Sequence, residues 1–169
     1  MRFLLYNIRY GAGIGWKVHF PVPFGGCLRR TSDNFRQISD FIKSVNPDIT
    51  GLIEVDGGSF RSHRNNQARL LAEEIQHHHV FENKYSGQSM VRKLPLFNKQ
   101  GNAFLTNQDI RALRFHYFNK GFKRLVIEAE LAEFTTFIVH LSLKYRHRQH
   151  QLRDLNALVR SAGKPVIVA

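Results

Sequence analysis

The chain has 169 residues, 43% of them hydrophobic and 22% charged, which suits one domain and excludes global disorder. Its single cysteine, Cys27, excludes an internal disulfide and a cysteine-based zinc site. A formal charge of +12 points to polyanions: nucleic acid, an acidic membrane face or a phosphorylated small molecule.

The apolar run over residues 2–8 has strand length. It is too short for a signal sequence and is interrupted by Asn7; no run is long enough to span a bilayer. The expected location is therefore the cytoplasm. A glycine- and proline-rich loop follows over 9–30. Trp16, Phe20 and Phe24 interleave there with Lys17, Arg29 and Arg30, a mixture suited to stacking and phosphate contact, so this loop is the expected substrate rim. Thr31 or Ser32 should open a helix with the stripe Phe35, Ile38, Phe41, Ile42 and Val45, closed at Asn46 by Pro47.

Residues 48–55 predict a strand apolar on both faces. A second amphipathic helix is expected over 67–77, with Leu70, Leu71 and Ile75 inside, then strands over 79–85 and 101–106. A basic loop with Arg92, Lys93, Pro95 and Lys99 separates those strands. Residues 110–118 and 124–131 read as a hairpin turning at Asn119, Lys120 and Gly121, with Glu128 and Glu130 on a wet face. Its cations and aromatics, from Phe115 to Arg124, fit core rings and solvated charges. A strand over 135–143 precedes a helix over 148–161, expected to bury Leu152, Leu155, Leu158 and Val159 and to end at Gly163. Residues 165–169 begin a very apolar strand, and a chain ending there is expected to be C-terminally incomplete. The mixed order predicts a single layered α/β domain over 1–169.

Two signals are set aside. The run G-A-G-I-G has the wrong spacing for a dinucleotide loop and leads to prolines. His77, His78 and His79, if helical, would point about 100° apart, which fits a solvated helix end better than one shared ion.

Three predicted strands carry a polar residue near their ends: Asn7 after F-L-L-Y, Glu54 in G-L-I-E-V-D and His140 in F-I-V-H-L-S-L. A carboxylate in a buried strand needs a cation or a strong donor. Glu54 therefore suits a hard divalent ion such as Mg²⁺, and equally an ion pair with Arg or Lys. His140 alternates with Val139 and Leu141, so it faces away from them. It could donate to a phosphoryl oxygen or be a satisfied core histidine. Asn7 offers an amide for phosphate or ligand, or for a turn.

The ordered set Y-N-I (Asn7), P-D-I-T-G-L-I-E-V-D (Glu54), G-N-A-F-L-T (Asn102), V-H-L-S-L (His140), R-x-x-Q-L (Arg148 and Gln151) and K-P-V-I-V-A spans the chain. It resembles the endonuclease/exonuclease/phosphatase superfamily. The resemblance implies a four-layer α/β sandwich of the DNase I-like type, of which this chain would supply one half and a little more. It also implies a Mg²⁺-dependent phosphoesterase, with Mn²⁺ as an alternative ion. Glu54 would bind the metal, Asn7 would help hold the metal–phosphate site, His140 would stabilise the scissile phosphate and Asn102 would lie near the same cleft. Arg148 and Gln151 would support the helix and sheet.

The family continues past such a strand with Gly-Asp-x-Asn and later a Ser-Asp-His ending, neither of which is in this sequence. The expectations that follow are little turnover by this polypeptide alone and an apolar sheet face open to self-association. A phosphodiesterase or nuclease is the leading reading. A lipid or small-metabolite phosphoesterase stands beside it within the family, and a non-catalytic nucleic-acid-binding fragment or pseudoenzyme outside it.

Overall fold

The structure is a computed structural model describing residues 1–12, 31–85, 97–121 and 123–169. The expected rim aromatics and Cys27 lie outside the described residues, as do Arg92, Lys93, Pro95 and Phe122.

Among the described residues, eight strands form two four-stranded sheets. The first contains β1 (Phe3–Asn7), β2 (Ile49–Asp56), β3 (His78–Asn83) and β4 (Gln100–Thr106), in the order β1-β2-β4-β3. The second runs in sequence order through β5 (Ala112–Tyr117), β6 (Leu125–Glu130), β7 (Thr135–Val139) and β8 (Val166–Val168). Each sheet has one parallel pair, β1–β2 and β7–β8. Parallel neighbours need a crossover, and helices α1 (Ser32–Val45) and α3 (Tyr145–Ser161) lie within these two crossovers. The third helix, α2 (Gln67–Ile75), precedes β3.

Side-chain alternation then assembles the layers. Leu52, Val55 and Leu105 of the first sheet pack with Phe35 and Ile42 of α1 and Leu71 of α2. Ile49, Ile53 and Phe104 on its other face meet Leu125, Ile127, Ala129 and Ile138 of the second sheet. Val126 and Phe137, on the far face of that sheet, pack against Leu155 of α3. Helices therefore lie outside two packed sheets, and all four layers are present in this chain. This is the expected four-layer order; the open apolar sheet face expected with it is not seen among the described residues. The inner sheet faces cover each other, and exposed apolar side chains on their edge strands include Leu5 of β1 and Val168 of β8.

Other expectations shift locally. Asn46 ends α1 in the left-handed conformation, φ 48°, its N–H returning to Ile42 and Lys43. Helix α2 stops at Ile75, so His78 and His79 belong to β3 instead of a helix end. Helix α3 starts three residues earlier than expected, at Tyr145. It ends through extended Ala162, and Gly163 has no positive φ, so the predicted glycine cap is replaced by a direct turn into β8. Leu152 stays 41% exposed because only one stripe of α3 meets the sheet. Glu128 is buried, not wet, because Arg114 Nη1 and His116 Nε2 each lie 2.6 Å from its carboxylate. No helix among the described residues is long and apolar enough to cross a membrane.

Candidate active site

The decisive local feature is a bulge in β2. Its pairing with β4 shifts register between Leu52 and Val55, and Glu54 takes a positive φ of 58°. A left-handed residue in a strand is unusual and costs about 1–3 kcal/mol. Strict alternation would turn Glu54 to the side of Leu52, toward the helices. The extra residue instead leaves Ile53 in the inter-sheet core and returns Val55 to the helix side. Glu54 is thereby delivered to the inner face, at the mouth between the sheets. Asn102 of β4 holds this conformation: its Oδ1 accepts the displaced Glu54 N–H at 3.2 Å.

The second sheet supplies the opposite wall. His140 follows β7 and shares the side of Ile138, opposite to Phe137 and Val139. Its Nδ1 lies 3.9 Å from Glu54 Oε1. Lys123 Nζ hydrogen-bonds His140 Nε2 and lies 3.9 Å from the same carboxylate oxygen. Burial, then the Lys123 ammonium, holds the His140 imidazole below its usual pKa, with Glu54 opposing. The ring is therefore neutral near pH 7. Accepting from Lys123 at Nε2 places its own proton on Nδ1, toward Glu54.

These residues line a cavity of about 30 Å³ with Tyr10, Lys84, Asn102, Arg124 and Leu125. Tyr10 is set by a left-handed turn, with Arg9 at φ 48° and Tyr10 at φ 58°. Gln67 Nε2 donates to its carbonyl, and Lys84 Nζ donates to its hydroxyl at 2.9 Å. Arg61, 2% exposed, lies 5.0 Å from the Tyr10 ring centre. Beneath, Arg61 Nη2 stands 3.1 Å from Asp56 Oδ2, a charge contact without aligned hydrogen-bond geometry.

Gln151 ties the second-sheet wall to α3. Fully buried, it donates from Nε2 to the carbonyls of Lys120 and Lys123 and accepts the Ser142 N–H. Arg148 Nη1 reaches the Ser142 and Leu143 carbonyls. Gly121 completes the turn at φ 99°, where a Cβ would come within 2.7 Å of Gln151 Nε2.

Glu54, Asn102 and His140 thus share one cleft. Asn7 does not line it. Asn7 pairs with Ile53, one residue before Glu54, and its Oδ1 accepts the Arg9 N–H at 3.0 Å. It lines a neighbouring groove with Asn34 and Gln37 of α1. Sequence reading missed Tyr10, Lys84, Lys123 and Arg124. Lys123 and Arg124 were assigned to solvated hairpin charge, although the glycine turn beside them marked a fixed approach.

The donor set fits a hard divalent ion. Among the described residues no hydrogen bond reaches the Glu54 carboxylate, which keeps its oxygens available in a partly enclosed cleft. No group of three or more His, Cys, Asp or Glu gathers around an ion site among the described residues. The single carboxylate lining the cleft is compatible with an ion such as Mg²⁺, which takes one or two carboxylates and completes its shell with water and phosphate oxygens.

Residues 4–169 match the Endonuclease/Exonuclease/phosphatase family. No curated protein matches the sequence significantly. Among solved structures, a functionally unknown conserved protein from Enterococcus faecalis V583 is 14% identical, with a TM-score of 0.67 over 99% of this chain and 65% of that one. The human Nocturnin catalytic domain with bound sulfate is 17% identical, with a TM-score of 0.59 over 99% and 63%. The mannosyl-6-phosphatase Bt3783 of Bacteroides thetaiotaomicron VPI-5482 is 13% identical, with a TM-score of 0.58 over 81% and 55%. At such identities the likeness is one of fold. The chain spans less than two thirds of the length of each of these structures.

Proposed function

This chain belongs to the endonuclease/exonuclease/phosphatase family, and on that premise we propose that it carries the metal-binding carboxylate of a divalent-metal phosphoesterase site. The observation that carries the reading is the bulge that turns Glu54 inward, beside His140 and Lys123. A misdirected strand residue in left-handed conformation is costly, and such strain concentrates at functional sites.

Glu54 holds the ion, Mg²⁺ first and Mn²⁺ as the alternative. Asn7, at the end of the adjoining strand and outside the cleft, supports it through the turn at Arg9, whose N–H its Oδ1 accepts. Asn102 fixes the Glu54 backbone. His140, neutral, donates from Nδ1 to a phosphoryl oxygen as charge builds there. The ion, when bound, polarises a phosphate oxygen and stabilises the leaving group. Water attacks in line, and positioning and electrostatics supply most of the rate, as in other phosphoryl transfer.

Nucleic acid is the first substrate class, because a charge of +12 favours a polyanion. Sugar phosphates are the second reading, favoured by the small cleft and the cations Lys84, Lys123 and Arg124 along it. The discriminating experiment is hydrolysis by the whole protein, with Mg²⁺ or EDTA, of abasic duplex, single-stranded DNA, RNA, sphingomyelin and a hexose 6-phosphate. EDTA-sensitive release from one class supports the reading. EDTA-resistant hydrolysis, or none with any ester, removes it.

A further inference from the structure

Three cations border the cleft against one carboxylate. Arg124 Nε already donates to the Phe118 carbonyl, and Lys84 donates to Tyr10. Lys123 differs. Its ammonium has three donors; among the described residues it meets one neutral acceptor, His140 Nε2, and one carboxylate at 3.9 Å, beyond hydrogen-bond length. Its backbone is fixed, since the buried Gln151 amide donates to the Lys123 carbonyl at 2.7 Å. The side chain therefore extends from an anchored point, and its ammonium is the group whose partner is not fixed by the fold.

Electrostatics make that choice conditional. While the Glu54 carboxylate is uncompensated, the nearest counter-charge for Lys123 is Glu54. Once a cation neutralises that carboxylate, the attraction is lost and like-charge repulsion takes its place. The remaining acceptors for an ammonium in this cleft are then the oxygens of an incoming phosphate.

We propose that Lys123 is a phosphate-binding residue which Glu54 holds in reserve, and that it turns to the phosphate when the Glu54 charge is neutralised. This rests on the reading of the Glu54 cleft as the phosphoester site. Lys123 then makes cation binding and phosphate binding interdependent, each strengthening the other by the same factor.

The test is a double-mutant cycle on the 169-residue chain without metal, with inorganic phosphate as the probe and binding read by calorimetry. Glu54→Gln frees Lys123 and tightens phosphate by about tenfold, within the usual range of coupling between sites. Lys123→Gln weakens phosphate by about as much. In the Lys123→Gln background, Glu54→Gln brings no gain. Equal gains in both backgrounds mean general charge repulsion and overturn the proposal; so do a Lys123→Gln affinity equal to wild type and undetectable phosphate binding by all four proteins. Thermal melts establish that each variant is folded, and Lys123→Met replaces the glutamine variant if that one does not fold.

A parallel Mg²⁺ titration separates the two readings. Lys123→Gln tightens Mg²⁺, because a competing cation is gone, and Glu54→Gln abolishes binding. If Glu54→Gln leaves Mg²⁺ affinity unchanged, the metal reading fails while the phosphate cycle still reports on Lys123. If Mg²⁺ binding depends on Glu54 but the phosphate cycle is additive, only the role of Lys123 fails.

Discussion

Glu54 and Asp56 stand two residues apart at the end of one strand and live in opposite electrostatic states. Asp56 is fully buried and saturated: it accepts from the Gly58 and Ser59 N–H groups and the Ser59 hydroxyl, and faces Arg61. Glu54 accepts no hydrogen bond among the described residues and has two basic groups at 3.9 Å. A saturated carboxylate has no valence left for a ligand and serves the fold. A carboxylate with open oxygens beside an ammonium it does not hydrogen-bond is free to take a ligand. The difference lies in their partners: the bulge between Leu52 and Val55 delivers Glu54 to the open mouth between the sheets, whereas Asp56 is enclosed by the Ser59 turn and Arg61.

Four experiments sharpen or break this contrast. Glu54→Gln in the whole protein should lower Mg²⁺-dependent turnover by about a thousandfold, the rate equivalent of several kcal/mol of charge stabilisation. Its melting temperature should stay near wild type, and retained turnover would erase the functional half of the comparison. Asp56→Asn should do the reverse. It leaves the Arg61 charge buried without its partner and should cost about 3–5 kcal/mol in urea unfolding. A loss near zero would mean that the pair relaxes into water.

Gln151→Leu tests whether the second-sheet wall needs its anchor. It strips partners from the carbonyls of Lys120 and Lys123 and should cost about 1–3 kcal/mol in the same unfolding assay. Turnover should also fall, because Lys123 and His140 lose their fixed spacing; unchanged turnover would separate the anchor from the site. The smallest effect belongs to a third kind of carboxylate, the exposed Glu74. Lys43 first, then Ser39, holds it below the ordinary value of 4.5. A lowered carboxyl contributes stability above that value and loses it as pH falls through the folded-state value. Glu74→Gln should therefore lower the melting temperature slightly at neutral pH and flatten its decline below pH 4.5, where variant and wild type converge.

Much of the frame was readable along the chain. Apolar runs of strand length and the helical stripes in Phe35–Val45 and Leu155–Val159 placed the strands and α-helices of the described residues to within a few residues. Local propensity and periodicity act over such windows, so they need no tertiary knowledge. The ends were less readable, because a cap such as Ala162 depends on where the next strand must go. The four layers were expected from the family pattern; the open apolar sheet face was the misreading, since burial of each inner face depends on the other sheet being there.

For the site, residue chemistry alone marked Glu54 and His140 as misfits in apolar strands, because burying an ionisable group needs a reason. It also singled out Asn7, and the family pattern added Asn102. What only the tertiary structure decided was direction and company. A period-two reading cannot see one inserted residue, yet that residue turned the Glu54 carboxylate to the inner face. Nor can any local window foresee that Tyr10, Lys84 and Lys123, each from a different connection, converge on it, because their proximity is made by packing two sheets and not by distance along the chain.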